Sequence, residues 1–107
     1  MPFPRNLGSQ VVTIGSTAAD SQTVAVGTPV VAVAVMVNVT ATITTSGTLA
    51  LVSGGASGTA VTPAFPTDTA TGVRIFQLGP DGVVMDGLRL DVTASSGGTA
   101  TWFVYYR

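Results

Sequence analysis

The stretch "VVAVAVMVNVTATITT", from Val30 to Thr45, carries the strongest strand pattern in the chain. Its odd-numbered positions, 31 to 43, are apolar throughout, which predicts one face that lies in the core. The even-numbered positions begin with Val30, Ala32, Ala34 and Met36, and only after them does this second face become polar. The first half of the stretch is therefore apolar on both faces and needs cover on two sides.

A straight strand of this length would span roughly 50 Å at about 3.3 Å per residue, whereas a typical strand has about 5–6 residues. Either the strand bends and serves two sheets, or a turn lies near residues 36 to 38. A chain of 107 residues forms one modest domain with little surface to spare. A neighbouring subunit is therefore expected to cover the second face, which makes Val30, Ala32, Ala34 and Met36 predicted interface residues.

Alternation with period two recurs along the chain and predicts an all-β fold. The segments "LRLDVTA" from Leu88 and "TATWFVYY" from Thr99 are predicted to pair as a closing hairpin around "SSGG". The second of these is apolar on both faces, which is typical of a central or interface strand. Shorter strand candidates start at Gln10, Thr23, Thr48, Thr59 and Val73.

Glycine, proline and serine clusters separate these segments. Turns are predicted at Pro80-Asp81-Gly82 and at Asp86-Gly87. Residues 56 to 72 are expected to form a long loop that crosses a partner. The resulting fold is an antiparallel β-sandwich or jelly roll over residues 10–107, preceded by an extended N-terminal arm over residues 1–9.

Composition narrows the classes of function. The net charge is −1, so there is no basic field for nucleic acid or for anionic membranes. The first ten residues lack the pattern of a secretory signal, and Asn38 and Thr40 interrupt the apolar stretch well short of a membrane-spanning length. We therefore expect a soluble chain that is made in the cytoplasm and binds neither nucleic acid nor membrane.

The chain contains no Cys, His, Lys or Glu, so the side chains that most often act as tuned bases or nucleophiles are missing. The only carboxylates are Asp20, Asp68, Asp81, Asp86 and Asp91. A paired-Asp enzyme is the alternative, but we expect no catalytic site and no cofactor. The spacing of Asp81, Asp86 and Asp91 also permits a calcium site, although turn and solvent-facing positions explain these residues better, so no metal is expected.

The aromatic cluster near the C-terminus offers another class of function. Flat rings on a β surface can stack on sugars, so Trp102, Tyr105 and Tyr106 are candidates for a carbohydrate-binding or adhesive surface. Aromatic residues on a central strand more often form the core or a subunit contact. Exposed, coplanar rings would favour sugar binding, and buried rings would count against it.

Several segments together resemble small virion proteins of tailed bacteriophages, especially capsid cement or decoration proteins. These segments are the arm "MPFPRN", the Val/Thr/Ala/Gly-rich strands and the closing "DGLRLDVTASSGGTATWFVYYR". The resemblance implies a β-rich homo-oligomer, a trimer or dimer, that clamps capsid subunits on the surface of the virion. Other phage tail, neck or baseplate proteins share the same style and remain alternatives.

The sequence thus predicts a non-enzymatic structural protein whose partners are itself and the major capsid protein or other virion proteins. Besides the two-faced strand, the predicted contact residues are Pro2, Phe3, Pro4 and Arg5 in the arm. The two prolines favour extended backbone, Phe3 supplies an apolar anchor and Arg5 supplies a charged hydrogen-bonding group.

Overall fold

A computed structural model describes residues 10–15, 20–54 and 58–107 of the chain. The described residues contain strands and no helix, which confirms the all-β prediction. The strands are β1 (Gln10–Gly15), β2 (Asp20–Ala41), β3 (Thr48–Ser53), β4 (Thr59–Ala60), β5 (Phe65–Pro66), β6 (Gly72–Gln77), β7 (Val83–Thr93) and β8 (Thr99–Tyr106). No helix able to cross a membrane is present in these ranges. The predicted arm, with Pro2, Phe3, Pro4 and Arg5, lies outside them.

The strands form one antiparallel sheet in the order β1-β8-β2-β7-β3-β4, with β5 paired to β3 and β6 paired to β2. Strand β2 is the centre of this arrangement. Its first part pairs with β7, up to Ala32, and its second part pairs with β6, from Ala34 to Val39. Strand β8 lies along the opposite side of β2, so β6 and β7 follow one another along the same side.

Strand β2 runs for 22 residues without a turn, but its pairing with β8 is irregular between Ala32 and Ala34. The irregularity inserts Val33 as an extra residue, and a shift of one residue moves every following side chain to the other face. Val30 and Ala32 are therefore buried before it, and Val35, Val37 and Val39 after it. The prediction that all odd-numbered positions lie in the core is wrong, as is the alternative of a turn near residue 36.

The sheet curls so that strands from both of its ends contribute to one hydrophobic core. An extent of 18 Å along the shortest axis fits two layers packed about 10 Å apart, which is consistent with a β-sandwich. Fully buried side chains in this core include Trp102 and Val104 from β8, Leu88 and Leu90 from β7, and Leu49 and Leu51 from β3. The central position of β8, between β1 and β2, agrees with its pattern of apolar residues on both faces.

The predicted closing hairpin does not form. Strand β7 pairs with β2 and β3, and β8 pairs with β1 and β2, so β2 lies between the two segments. The "SSGG" connection instead crosses the chain just after β2, where the amides of Thr44 and Thr45 donate to the carbonyl of Ser96 at 2.8 and 3.1 Å. A side chain at Gly97 would overlap Thr44, and one at Gly98 would overlap backbone carbonyls of β2 and the residue after it. These glycines permit a close crossing rather than a tight hairpin turn.

We therefore expect Gly98→Ala to lower the free energy of unfolding by about 1–3 kcal/mol, because the added methyl group meets rigid backbone oxygens. Gly15→Ala is the matched control, since nothing lies within 4 Å of a methyl group there. Its free energy of unfolding should change by no more than about 0.5 kcal/mol. Urea unfolding followed by circular dichroism measures both, and equal stability of the two variants would contradict the close crossing.

The predicted turn at Pro80-Asp81-Gly82 is confirmed and connects β6 to β7. Gly82 has a φ of 80°, and a side chain there would meet the carbonyl oxygen of Ala32 at 2.6 Å. The predicted turn at Asp86-Gly87 is wrong, because these residues lie inside β7. Gly87, with a φ of 81°, occupies an irregularity where several residues of β2 oppose one residue of β7.

The long loop predicted over residues 56 to 72 is largely bound to its own chain over its described part. Short strands β4 and β5 pair with β3, and the amide of Thr67 donates to the carbonyl of Gly47 at 2.9 Å. The buried Thr67 hydroxyl in turn accepts the Gly47 amide at 3.1 Å. Phe65 packs against the core and stacks on Phe76, with ring centroids 4.7 Å apart. These contacts tie the described part of the segment to its own chain, and whether it also crosses a partner stays a prediction.

Candidate docking surface

One side of the sheet faces away from the core over four neighbouring strands, β1, β8, the second part of β2, and β6. The pairing registers place the side chains of this side in rows across the strands. The central row is Thr13, Phe103, Met36 and Ile75. The row on one side of it is Val11, Tyr105, Ala34 and Gln77, and the row on the other side is Gly15, Thr101, Asn38 and Val73. We call these twelve residues the outer face.

Six of the twelve residues of the outer face are apolar, the other six are polar residues or glycine, and none is charged. At its margins, Val11, Val73 and Ile75 expose 50%, 59% and 61% of their surface. Between these margins, Met36 and Phe103 are half-buried by their neighbours. Three spacings of about 4.8 Å and six residues of about 3.4 Å give an area of roughly 300 Å² for this face. Because half of its residues are polar or glycine, its apolar area is smaller than the largest apolar patch of a typical monomer.

The predicted strand contacts divide between the core and the outer face. Val30 and Ala32 retain only 7% and 0% of their exposed surface, so they pack inside the domain. Ala34 and Met36 are half-buried and belong to the outer face, because the extra residue at Val33 separates them from the first pair. The prediction that all four share one face is corrected, and only the second pair has surface that a partner can contact.

Most of the outer face comes from residues that the sequence did not single out. Val73 and Ile75 alternate with Arg74 and Phe76 in β6, so the pattern identifies a strand without saying which side is covered. Phe103 was identified as part of the C-terminal aromatic cluster and of a strand that is apolar on both faces. The available signal in the sequence was that these strands are apolar on both faces. The register that joins them into one surface depends on the tertiary structure, so local pattern does not predict it.

The aromatic residues of β8 do not form one exposed platform. Trp102 is fully buried, and its Nε1 atom has no hydrogen-bond partner among the described residues. Tyr106 packs against the core, whereas Tyr105 lies on the outer face. The three rings do not share an exposed surface, and this counts against the sugar-stacking interpretation.

Charged side chains in the described part of the chain lie away from the outer face. Arg74 donates to Asp68 at 3.0 Å, and its guanidinium lies 5.0 Å from the centre of the Phe76 ring. Asp86 and Asp91 are exposed along β7. The described residues contain neither an enclosed pocket nor a group of three or more potential metal ligands. The feature left to interpret is the uncharged outer face.

Comparisons of this chain with family models, with curated proteins and with solved structures found no match. A proposal for its function therefore depends on the residues and geometry described above.

Proposed function

We propose that this protein is a non-enzymatic structural protein of a bacteriophage virion, a capsid cement or decoration protein that stabilises contacts between capsid subunits. The outer face is the observation that carries the proposal. Its rows present apolar and uncharged polar side chains, with no charge to repel a partner and no ionic group to bury unpaired. Such a surface is suited to contact with another protein, where burying apolar area supplies the binding free energy.

The size of the outer face favours a repeated partner over a single one. At about 25 cal/mol per Å² of apolar area, the whole face of roughly 300 Å² would give at most about 7 kcal/mol of gross stabilisation, and its polar residues lower that figure. Association itself costs about 4–15 kcal/mol, so one such contact is weak. A symmetric shell offers many identical sites, and linked weak contacts gain strength from high effective concentration. A cement protein on a capsid would use a surface of this size in that way.

The N-terminal arm supplies a second contact in this proposal. Pro2 and Pro4 restrict the backbone to extended conformations, which reduces the entropy lost on docking. Phe3 and Arg5 would bind a groove of the capsid subunit while the outer face packs on its surface. Two linked contacts, each weak alone, would hold the protein on the shell after its synthesis in the host cytoplasm.

The test uses particles of the phage whose genome encodes this chain. Virions purified on a density gradient are expected to contain the protein by mass spectrometry, and gold-labelled antibody against it should decorate the capsid. Labelling confined to the tail would replace the capsid role with a tail, neck or baseplate role. Absence of the protein from purified particles would overturn the proposal.

A further inference from the structure

Strand β6 forms an edge of the sheet that is not protected in the usual ways. It has one described neighbour, β2, and the two pair without irregularity over all six residues of β6. It contains no proline, its one charged residue is Arg74, which is paired with Asp68, and Val73 and Ile75 are exposed on it. Natural edge strands are commonly shortened, bulged or charged because an open edge invites pairing with another chain.

Two other edges of the described sheet have such protection. Strand β4, at one end, has only two residues. The first part of β2 is paired only to β7 in the described structure, but it contains Pro29 and two register irregularities. Strand β1, at the other end, is as long and as regularly paired as β6, so the described sheet has two regular edges. Of these two, β6 exposes two large apolar side chains, Val73 and Ile75, whereas β1 exposes one, Val11.

The residue that follows β6 shows which backbone groups of β6 bond to β2 and which point to the open edge. The amide of Leu78 donates to the carbonyl of Val33 at 3.2 Å, so these two residues form a hydrogen-bonded pair. Hydrogen-bonded pairs alternate along an antiparallel ladder, so Phe76 and Arg74 also direct their backbone groups toward β2. The amides and carbonyls of the intervening residues, Val73, Ile75 and Gln77, therefore point away from β2 to the open edge.

We propose that β6 of a second copy of this chain pairs antiparallel with this edge, about a two-fold axis at Ile75. The three outward-facing residues are spaced evenly around Ile75, which makes the edge complementary to itself. Ile75 lies opposite its counterpart, and Val73 lies opposite Gln77 on each side of the axis. Three such pairs form about six backbone hydrogen bonds.

The side chains are compatible with this pairing. In this register, Arg74 lies opposite Phe76 of the second copy, so a cation faces an aromatic ring rather than another cation. Each Arg74 is already paired with Asp68 and lies over its own Phe76. The dimer joins two outer faces into one surface about twice as wide. This pairing does not depend on a role in a virion, so it stands or falls separately from the proposed function.

Hydrogen exchange measured by nuclear magnetic resonance tests the pairing directly on the full chain. Sedimentation should show mainly monomer at about 1 µM and a dimer as concentration rises toward about 500 µM, as expected for a small interface. The amides of Val73, Ile75 and Gln77 should exchange several-fold more slowly in the concentrated sample. The amides of Arg74 and Phe76, which bond to β2, should be protected at both concentrations.

Ile75→Pro provides the second arm of the test. The substitution removes an amide that points to the open edge, and it keeps every hydrogen bond between β6 and β2. Edge strands tolerate proline at such positions. We expect dimerisation to weaken at least tenfold, while Val11→Thr, elsewhere on the outer face, dimerises as the unmodified chain does. A monomer at every concentration, or a dimer whose outward amides still exchange freely, would overturn the proposal. If the proline variant does not fold, the exchange measurement on the unmodified chain decides.

Discussion

Replacing Trp102 with alanine is expected to lower the free energy of unfolding by about 3–5 kcal/mol, the usual range for removing a large buried aromatic side chain. Trp102 is fully buried at the centre of β8, where it lies opposite Ile14 of β1 and Val37 of β2. Its removal leaves a cavity where three strands meet. Since small domains are stable by only about 5–15 kcal/mol, the melting temperature should fall by at least about 10 °C.

Trp102→Phe separates packing from hydrogen bonding at the same position. The indole Nε1 atom is buried without a described partner, an arrangement that costs about 1–3 kcal/mol. Phenylalanine keeps part of the ring volume and removes the buried N–H, so the loss should be under about 2 kcal/mol. Urea unfolding followed by far-ultraviolet circular dichroism suits both variants, since each lacks the only tryptophan. Equal losses in the two variants would contradict the lack of a partner for the indole.

Local pattern was sufficient to predict several of the strands, because period-two alternation reports directly which segments can lie in a sheet. Strands β1, β3, β6 and β8 occur where their patterns place them. The buried face of β2 was not predictable in the same way. Valine and alanine occupy both faces around Val33, so nothing in composition marks the extra residue at which burial changes from even to odd positions.

The order of the strands in the sheet could not be predicted from local pattern either. The segments before and after "SSGG" both look like hairpin strands, and a short connection usually joins neighbours. Here the connection carries the chain past the end of β2. Glycine is needed there because a side chain at Gly97 would overlap Thr44. A turn glycine and a crossing glycine have the same sequence signature, so only the three-dimensional contacts distinguish them.

The contact residues predicted from the sequence overlap the outer face only in part. The argument that a two-faced strand needs outside cover led to β2, and Ala34 and Met36 do lie on the outer face. The same argument included Val30 and Ala32, which the domain covers itself. It did not identify Val11, Val73 or Ile75, because residues far apart in sequence become one surface only through strand register.

Met36→Asp should reduce retention on the virion more than 100-fold if the outer face is the contact with the capsid. Met36 lies in the central row, between Phe103 and Ile75. A partner that covers this row would bury the new carboxylate without a compensating cation. An unpaired buried charge costs about 3–5 kcal/mol, which corresponds to a loss of roughly 100- to 4,000-fold in affinity. Because Met36 is only half-buried in the free chain, the domain itself should remain folded.

Two controls separate loss of contact from a general effect of charge. Ala70→Asp adds the same charge at an exposed position outside the outer face, and Met36→Leu keeps apolar volume at the same position. Both should be retained as the unmodified protein is, when each variant competes with it during particle assembly and mass spectrometry gives the ratio. If Met36→Asp is incorporated equally well, the capsid contact must lie elsewhere, and the N-terminal arm becomes the contact to test. If Ala70→Asp is excluded as strongly as Met36→Asp, the partner is responding to net charge rather than to the apolar rows of the outer face.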